Sequence, residues 1–177
     1  IEKIKQEFKQ LNGVIHAAGI IQDNFIIKKT RNEFLNVMMP KVTGLTNLDQ
    51  ATRDLKLDVF ILFSSIAGSL GNVGQADYST GNAYMDAYAH YRNKLVSENK
   101  RHGRTLSINW SLWQEGGMQV DGDAEKKLME NMGMVGMQTQ TGVNALYKGL
   151  ESSNDQIMVM EGNPLQFKKS IVSSVSA

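Results

Sequence analysis

Three short stretches carry side chains suited to polarising a carbonyl group. Each closes a run that reads as a β-strand: His16-Ala17-Ala18-Gly19, Phe63-Ser64-Ser65 and Asn109-Trp110-Ser111. In a doubly wound α/β sheet the reacting groups gather at the carboxyl ends of the strands. The sequence after the second strand reads as a helix that presents Tyr78 and, one turn later on the same face, Asn82. A serine hydroxyl at a strand end, opposite a phenol at a helix start, can act on one ketone. The serine donates a hydrogen bond to the oxygen, and the phenol delivers a proton to it as hydride reaches the carbon. A free phenol has a pKa of about 10, so a nearby ammonium that favours the phenolate would release the proton more readily. Lys41, directly after Pro40, is the candidate for that cation.

These groups need a scaffold, and the hydrophobic pattern supplies one. Ile1, Ile4, Phe8 and Leu11 recur at helical spacing, so the chain reads as starting inside an amphipathic helix, as a piece of something longer. A strand over 14–18 is bounded by Gly13 and Gly19. Helical spacing over about 30–53 places Phe34, Met38, Leu45 and Leu48 on one face, with Pro40 expected to break or kink it. Residues 57–63 are almost continuously apolar, as in a central parallel strand. A Gly-rich turn over 64–74 leads to a long helix over 76–97, then a strand over 106–110. Residues 116–140 are rich in Gly, Met and Gln and weakly periodic; a helix over 143–150 and a strand over 157–160 follow. The alternation predicts an α/β, Rossmann-like, doubly wound parallel sheet, incomplete, with only its later strands and helices present. Residues 1–169 would form the domain, and the small, polar 170–177 a fraying tail.

At this point the residues meet a family. Gly13-Val14-Ile15-His16-Ala17-Ala18-Gly19, Pro40-Lys41-Val42-Thr43-Gly44, Phe63-Ser64-Ser65-Ile66-Ala67-Gly68, Gly74-Gln75-Ala76-Asp77-Tyr78-Ser79-Thr80-Gly81-Asn82-Ala83 and Asn109-Trp110-Ser111-Leu112-Trp113, with Gly116-Gly117-Met118, occur in family order and spacing. Over roughly residues 11–162 the chain resembles the ketoreductase domains of modular polyketide synthases, within the short-chain dehydrogenase/reductase superfamily. Ordinary members of the superfamily carry a lysine one turn after the tyrosine. Here Asn82 holds that place and the lysine is Lys41, an exchange characteristic of the polyketide ketoreductases and their fatty-acid synthase relatives.

The resemblance implies roles. Tyr78 would be the general acid, Ser65 would orient the ketone, Lys41 would tune the tyrosine and the cofactor's ribose region, and Asn82 would support the proton relay. Ala17, Ala18 and Gly19, with Lys41 and Tyr78, would line the cofactor, NADPH. The substrate would be a β-ketoacyl thioester on an acyl carrier protein, inside a cytoplasmic multidomain synthase. Asp23, Leu70, Gln75 and Met118 would shape substrate entry and stereochemistry. B-type domains carry a Leu-Asp-Asp motif; Ile21-Gln22-Asp23 departs at its first two positions and keeps the diagnostic last Asp. A-type domains carry a tryptophan where this chain has Leu70. The expected product is therefore the D-configured β-hydroxyacyl chain. Thr80 stands where epimerising B-type domains carry proline, so no epimerase activity is expected.

Other readings of the same residues lead elsewhere. Ser64 competes with Ser65, but the spacing to Tyr78 favours Ser65. Gly68-Ser69-Leu70-Gly71-Asn72-Val73-Gly74 lies between a strand and a helix, yet no acidic residue closes a following strand as a dinucleotide fingerprint requires. Its glycines serve a tight turn. His16, His90 and His102 are scattered without zinc spacing, so no metal is expected. The methionines Met118, Met129, Met132, Met134 and Met137 fit either an irregular core patch or an adaptable lid over the acyl chain. Trp110 and Trp113 read as packing residues. The absence of cysteine excludes disulfides, thiolate zinc sites and a cysteine nucleophile. With 19 Lys plus Arg against 18 Asp plus Glu, no basic field exists to hold nucleic acid. No apolar run approaches the roughly 18 residues of a membrane span. Two competing functions remain. One is a non-catalytic piece that lacks the cofactor's phosphate loop, binds NADPH weakly alone, and works only with upstream sequence. The other is the equivalent domain of a fatty-acid synthase, with the same chemistry.

Overall fold

The computed structural model describes residues 1–116 and 122–175. They fall into two compact units, Ile1–Asn109 with Gly149–Met158, and Trp110–Lys148 with Val159–Ala177.

In the first unit, helix α1 (Glu2–Phe8) leads to strand β1 (Gly13–His16). Helix α2 (Arg31–Met39) is opened by a capping box, in which the Thr30 hydroxyl accepts from the Glu33 amide and the Glu33 carboxylate accepts from the Thr30 amide. A single π-helical turn, Pro40–Gly44, joins it to helix α3 (Leu45–Ala51). The expected break at Pro40 is thus a widened turn: proline cannot donate to the ladder, and the wider turn absorbs the missing bond. Strand β2 (Val59–Ser65) runs into the short helix α4 (Ile66–Leu70), then helix α5 (Ala76–Ser97) and strand β3 (Arg104–Trp110).

Strand β1 pairs with β2 in parallel, Gly13 opposite Val59 and His16 opposite Leu62. The full sheet has the order β1-β2-β3-β5, with β5 spanning Gln156–Val159. The Ser107 amide donates to Asp155 and the Ser111 amide to Val159, so β3 and β5 advance together in parallel. Phe60, Ile61 and Leu62 are all buried, whereas in edge strand β1 the exposed Ile15 stands between buried Val14 and His16. The core joins Val14, Leu45, Phe60, Leu62, Met85 and Ala89 from β1, α3, β2 and α5, with Leu57 from the connection into β2. Burying each of the larger side chains is worth roughly 1.5–3 kcal/mol, which holds α3 and α5 on the sheet. Gly103 has φ +76, and a β-carbon there would stand 2.7 Å from the Leu57 carbonyl oxygen, so glycine is required at this return into β3.

In the second unit, α6 (Gly122–Met132) precedes β4 (Met134–Val135), which pairs antiparallel with β6 (Glu161–Gly162). Helices α7 (Thr139–Glu151) and α8 (Pro164–Val175) follow in the chain. The segment that reads as weakly periodic therefore contains a helix and a strand. Met134 and Met137 are fully buried and Met129 is half-exposed, so at two positions the methionines are core. Met118, read as lining the substrate, lies outside the described residues. Trp110 and Trp113 stack edge to face at 5.0 Å. Helix α8 also runs through residues 170–175, read from sequence as a tail; Pro164 at its first position and buried Phe167 favour a helix that small residues merely continue. Among the described residues, no helix is long and apolar enough to cross a membrane.

Candidate active site

Tyr78 lies in the first turn of α5 and is 8% exposed. Ser65 ends β2 and caps α4, its Oγ accepting from the Ala67 amide at 3.2 Å. The Ser65 hydroxyl and the Asn82 side chain lie near enough to the Tyr78 phenol to act on its pKa. Burial pushes the phenol's pKa above its ordinary value; Ser65 and Asn82 pull it back, and the nearby Asp23 carboxylate adds to the rise. The sequence led to a lysine that lowers this pKa. Desolvation dominates instead, and the phenol stays protonated through neutral pH.

Lys41 arrives from the π-helical turn and is 3% exposed. Its ammonium stands over the Tyr78 ring, 5.1 Å from the centroid. Burial lowers its pKa to about 8, with Asp86 opposing the fall. Lys41 makes no hydrogen bond or ion pair among the described residues. Glycines admit it: a β-carbon at Gly81 would stand 3.2 Å from its Cδ, and one at Gly19 3.3 Å from its Nζ. His16 fixes the turn, its Nε2 lying 3.0 Å from the Pro40 carbonyl oxygen. Burial lowers the His16 pKa, so the ring is neutral and donates to that oxygen.

Behind these groups lies a buried polar lattice. Asp86, one turn beyond Asn82 on α5, accepts from Ser107 Oγ at 2.6 Å and Asn109 Nδ2 at 2.7 Å. Asn109 Nδ2 also donates to the Ser65 carbonyl at 2.9 Å and Ser64 Oγ at 3.2 Å, and its Oδ1 accepts from Gln156. Ser64, the competing serine, is committed to this lattice, donating to the Asn82 carbonyl. Asn82 donates from Nδ2 to the Tyr78 carbonyl at 2.8 Å, while its buried Oδ1 has no partner.

Residues 22–29 border the start of α5. Gln75 Nε2 donates to both oxygens of Asp23, at 3.1 and 2.9 Å, and the Asn24 amide donates to the Gly74 carbonyl. Ala17 and Ala18 are exposed beyond β1, and Gly19 borders Lys41. Leu70 ends α4, 37% exposed.

The family model described as KR domain matches residues 1–115. The chain belongs to the KR-domain family. It is 48% identical over 172 residues to polyketide synthase PksN of Bacillus subtilis (strain 168), covering 97% of this chain and 3% of that protein. The crystal structure of a ketoreductase domain from the bacillaene assembly line superposes with a TM-score of 0.94 at 49% identity, over 96% of this chain and 41% of that one. A short-chain dehydrogenase from Streptomyces avermitilis, 15% identical over 99% of this chain and 69% of its own, superposes with a TM-score of 0.74 and shares the fold.

In this KR-domain chain, sequence reasoning placed Ser65, Tyr78, Asn82 and Lys41 together, and the fold brings them together. It missed Asp86, although its position one turn after Asn82 on the same helix face was a usable signal. It read His16 only as a strand-end residue and one of three scattered histidines, and passed over Gly81; their contacts with the Lys41 turn are tertiary.

Proposed function

We propose that this chain carries the ketone-orienting and proton-donating part of an NADPH-dependent reductase. Its substrate is a β-ketoacyl thioester on an acyl carrier protein, its product the D-β-hydroxyacyl thioester, in the cytoplasmic assembly of a polyketide alongside other synthase domains. The observation that carries the reading is the buried Tyr78 phenol, flanked by Ser65 and Asn82, with the buried Lys41 ammonium 5.1 Å from its ring centroid.

The residues present fit the cofactor. A buried ammonium without an oxygen partner calls for one, and Gly19 leaves the space beside Lys41 open where a β-carbon would crowd its Nζ. Lys41, Tyr78 and the backbone at Ala17, Ala18 and Gly19 would hold the nicotinamide and ribose end. NADPH, when bound, supplies the hydride. Ser65 donates a hydrogen bond to the ketone oxygen, which polarises the carbonyl and fixes its orientation. Tyr78 gives its proton to the same oxygen. The phenolate left behind sits under the Lys41 ammonium, and the unpartnered Asn82 Oδ1 can hold a water that returns the proton. The D-configuration follows from Asp23, which Gln75 holds beside the start of α5.

A second reading, in which the chain is inactive by itself, has one observation in its favour: it spans 41% of the bacillaene ketoreductase chain it superposes on. One experiment treats both. NADPH binding and oxidation with a β-ketoacyl pantetheine thioester would be measured for the chain alone and for the chain spliced into the bacillaene domain in place of the matched part. Turnover to D-product by the spliced protein is expected. An L-configured product would overturn the stereochemical assignment, and a folded spliced protein that reduces nothing would overturn the reading. Tight NADPH binding by the chain alone would remove the second reading.

A further inference from the structure

Lys29 was not singled out by the sequence, and the reduction described above does not use it. Its side chain is 2% exposed and pairs with Asp77, 1% exposed, at 2.7 Å. A buried ion pair is costly to desolvate and is weak evidence for stability alone. The connections of this pair are what distinguish it. Lys29 Nζ also donates to the Gln22 carbonyl at 2.6 Å, immediately before Asp23. The other oxygen of Asp77 accepts from the Tyr78 amide at 2.9 Å. One ammonium therefore joins the backbone next to Asp23 to the carboxylate that holds the backbone of Tyr78.

Two further bonds bind the same segments, Gln75 to Asp23 and the Asn24 amide to Gly74. Both are exposed or between backbone groups; the Lys29–Asp77 pair is the buried, charged member. Helix α5 has no side-chain cap at Gln75, so Asp77 in its first turn also meets the positive end of the helix.

We propose that Lys29 is a positioning residue for Tyr78, its pair with Asp77 locking residues 22–29 and the first turn of α5 into one unit. The inference rests on the reading of Tyr78 as the proton donor only for its kinetic consequence; the lock itself is a statement about two segments moving together.

The test uses Lys29→Met with Asp77→Asn, which removes both charges and leaves no buried ion unpaired, beside Lys29→Arg, which keeps the charge. Amide hydrogen exchange on the parent and both variants reads the lock without any catalysis. In the double variant, residues 21–25 and 74–80 should lose protection together while β2 and β3 keep theirs, and Lys29→Arg should retain most of the parent's protection. Unchanged exchange in both segments, or a loss in one alone, overturns the proposal. In the spliced reductase the double variant should lower kcat at least about tenfold with KM little changed, and release mixed D and L products, because small misplacements of reacting groups are expensive. Parent-like kcat and D-selectivity in a folded double variant would also overturn it. A parent that reduces nothing defeats the role of Tyr78, and the exchange result then decides the lock by itself.

Discussion

The ammonium of Lys41 lies over the face of the Tyr78 ring, 5.1 Å from its centroid. Its stem crosses α5 at Gly81, where no β-carbon stands in the way. The ring face tolerates a cation that burial would otherwise neutralise. If Tyr78 delivers the proton, Lys41 would be placed beside the negative charge left on the phenol oxygen.

If Tyr78 is the proton donor, Tyr78→Phe removes the proton and little else. The ring stays in its cluster with Val37 and Ala67. Turnover in the spliced reductase should fall by about 10²–10⁴, with NADPH affinity nearly unchanged by fluorescence titration. Unchanged turnover would remove Tyr78 from the role.

Lys41→Met should make the protein more stable and inactive. The folded pKa of Lys41 is about 8, below its ordinary 10.5. Between those values the unfolded chain binds more protons, so this group's penalty is full below pH about 8 and disappears as pH rises to about 10.5. Relieving it is worth at most on the order of 3 kcal/mol at pH 7. Urea unfolding at pH 7 should show the variant above the parent, with the gap closing toward pH 10.5. A variant less stable than the parent at pH 7 would contradict a desolvated ammonium.

Much of this was legible in the sequence because it is local. The continuous apolar run gave β2, helical spacing gave α5, and the motif order placed Ser65, Tyr78 and Lys41. What was not legible depends on contacts between distant residues. Lys29 and Asp77 meet across 48 positions, and His16 reaches Pro40 across 24. The pKa direction of Tyr78 could not be read either, since it depends on how deeply the ring is buried.

Gly68→Ala sets helix propensity against sterics, and sterics should win. Alanine in α4 would gain up to about 1 kcal/mol in propensity. Its β-carbon, however, would stand 2.9 Å from Asn82 Cβ and 3.0 Å from the Ala83 nitrogen, and backbone there cannot yield. Overpacking costs about 1–3 kcal/mol. Thermal unfolding should show a net loss, and turnover should fall as Asn82 is pushed from Tyr78. A stabilised, fully active variant would show that α4 moves freely.

Asp49 tests stability without chemistry. Its buried carboxylate accepts from Arg92 at 2.7 Å, from Arg101 and from Tyr88, while Arg92 also donates to the His102 and Gly103 carbonyls and lies 4.5 Å from the Phe60 centroid. Asp49→Ala leaves the Arg92 guanidinium buried and unpaired, at a cost of about 3–5 kcal/mol. Chemical denaturation should show that loss, while the surviving folded protein keeps its product configuration. A loss under about 1 kcal/mol would mean that water reaches Arg92.

Asp23 tests the stereochemical assignment. Its two oxygens share the Gln75 amide, and its charge raises the pKa of Tyr78. Asp23→Ala should release Gln75, admit the substrate in both orientations and give mixed D and L products by chiral chromatography. Gln75→Leu should do the same more weakly, because the Asp23 carboxylate itself remains. Since removing the carboxylate also lowers the phenol's pKa, the alkaline limb that Tyr78 contributes should move to lower pH in Asp23→Ala. Exclusive D-product from both variants would place the selectivity elsewhere than in the Asp23–Gln75 contact.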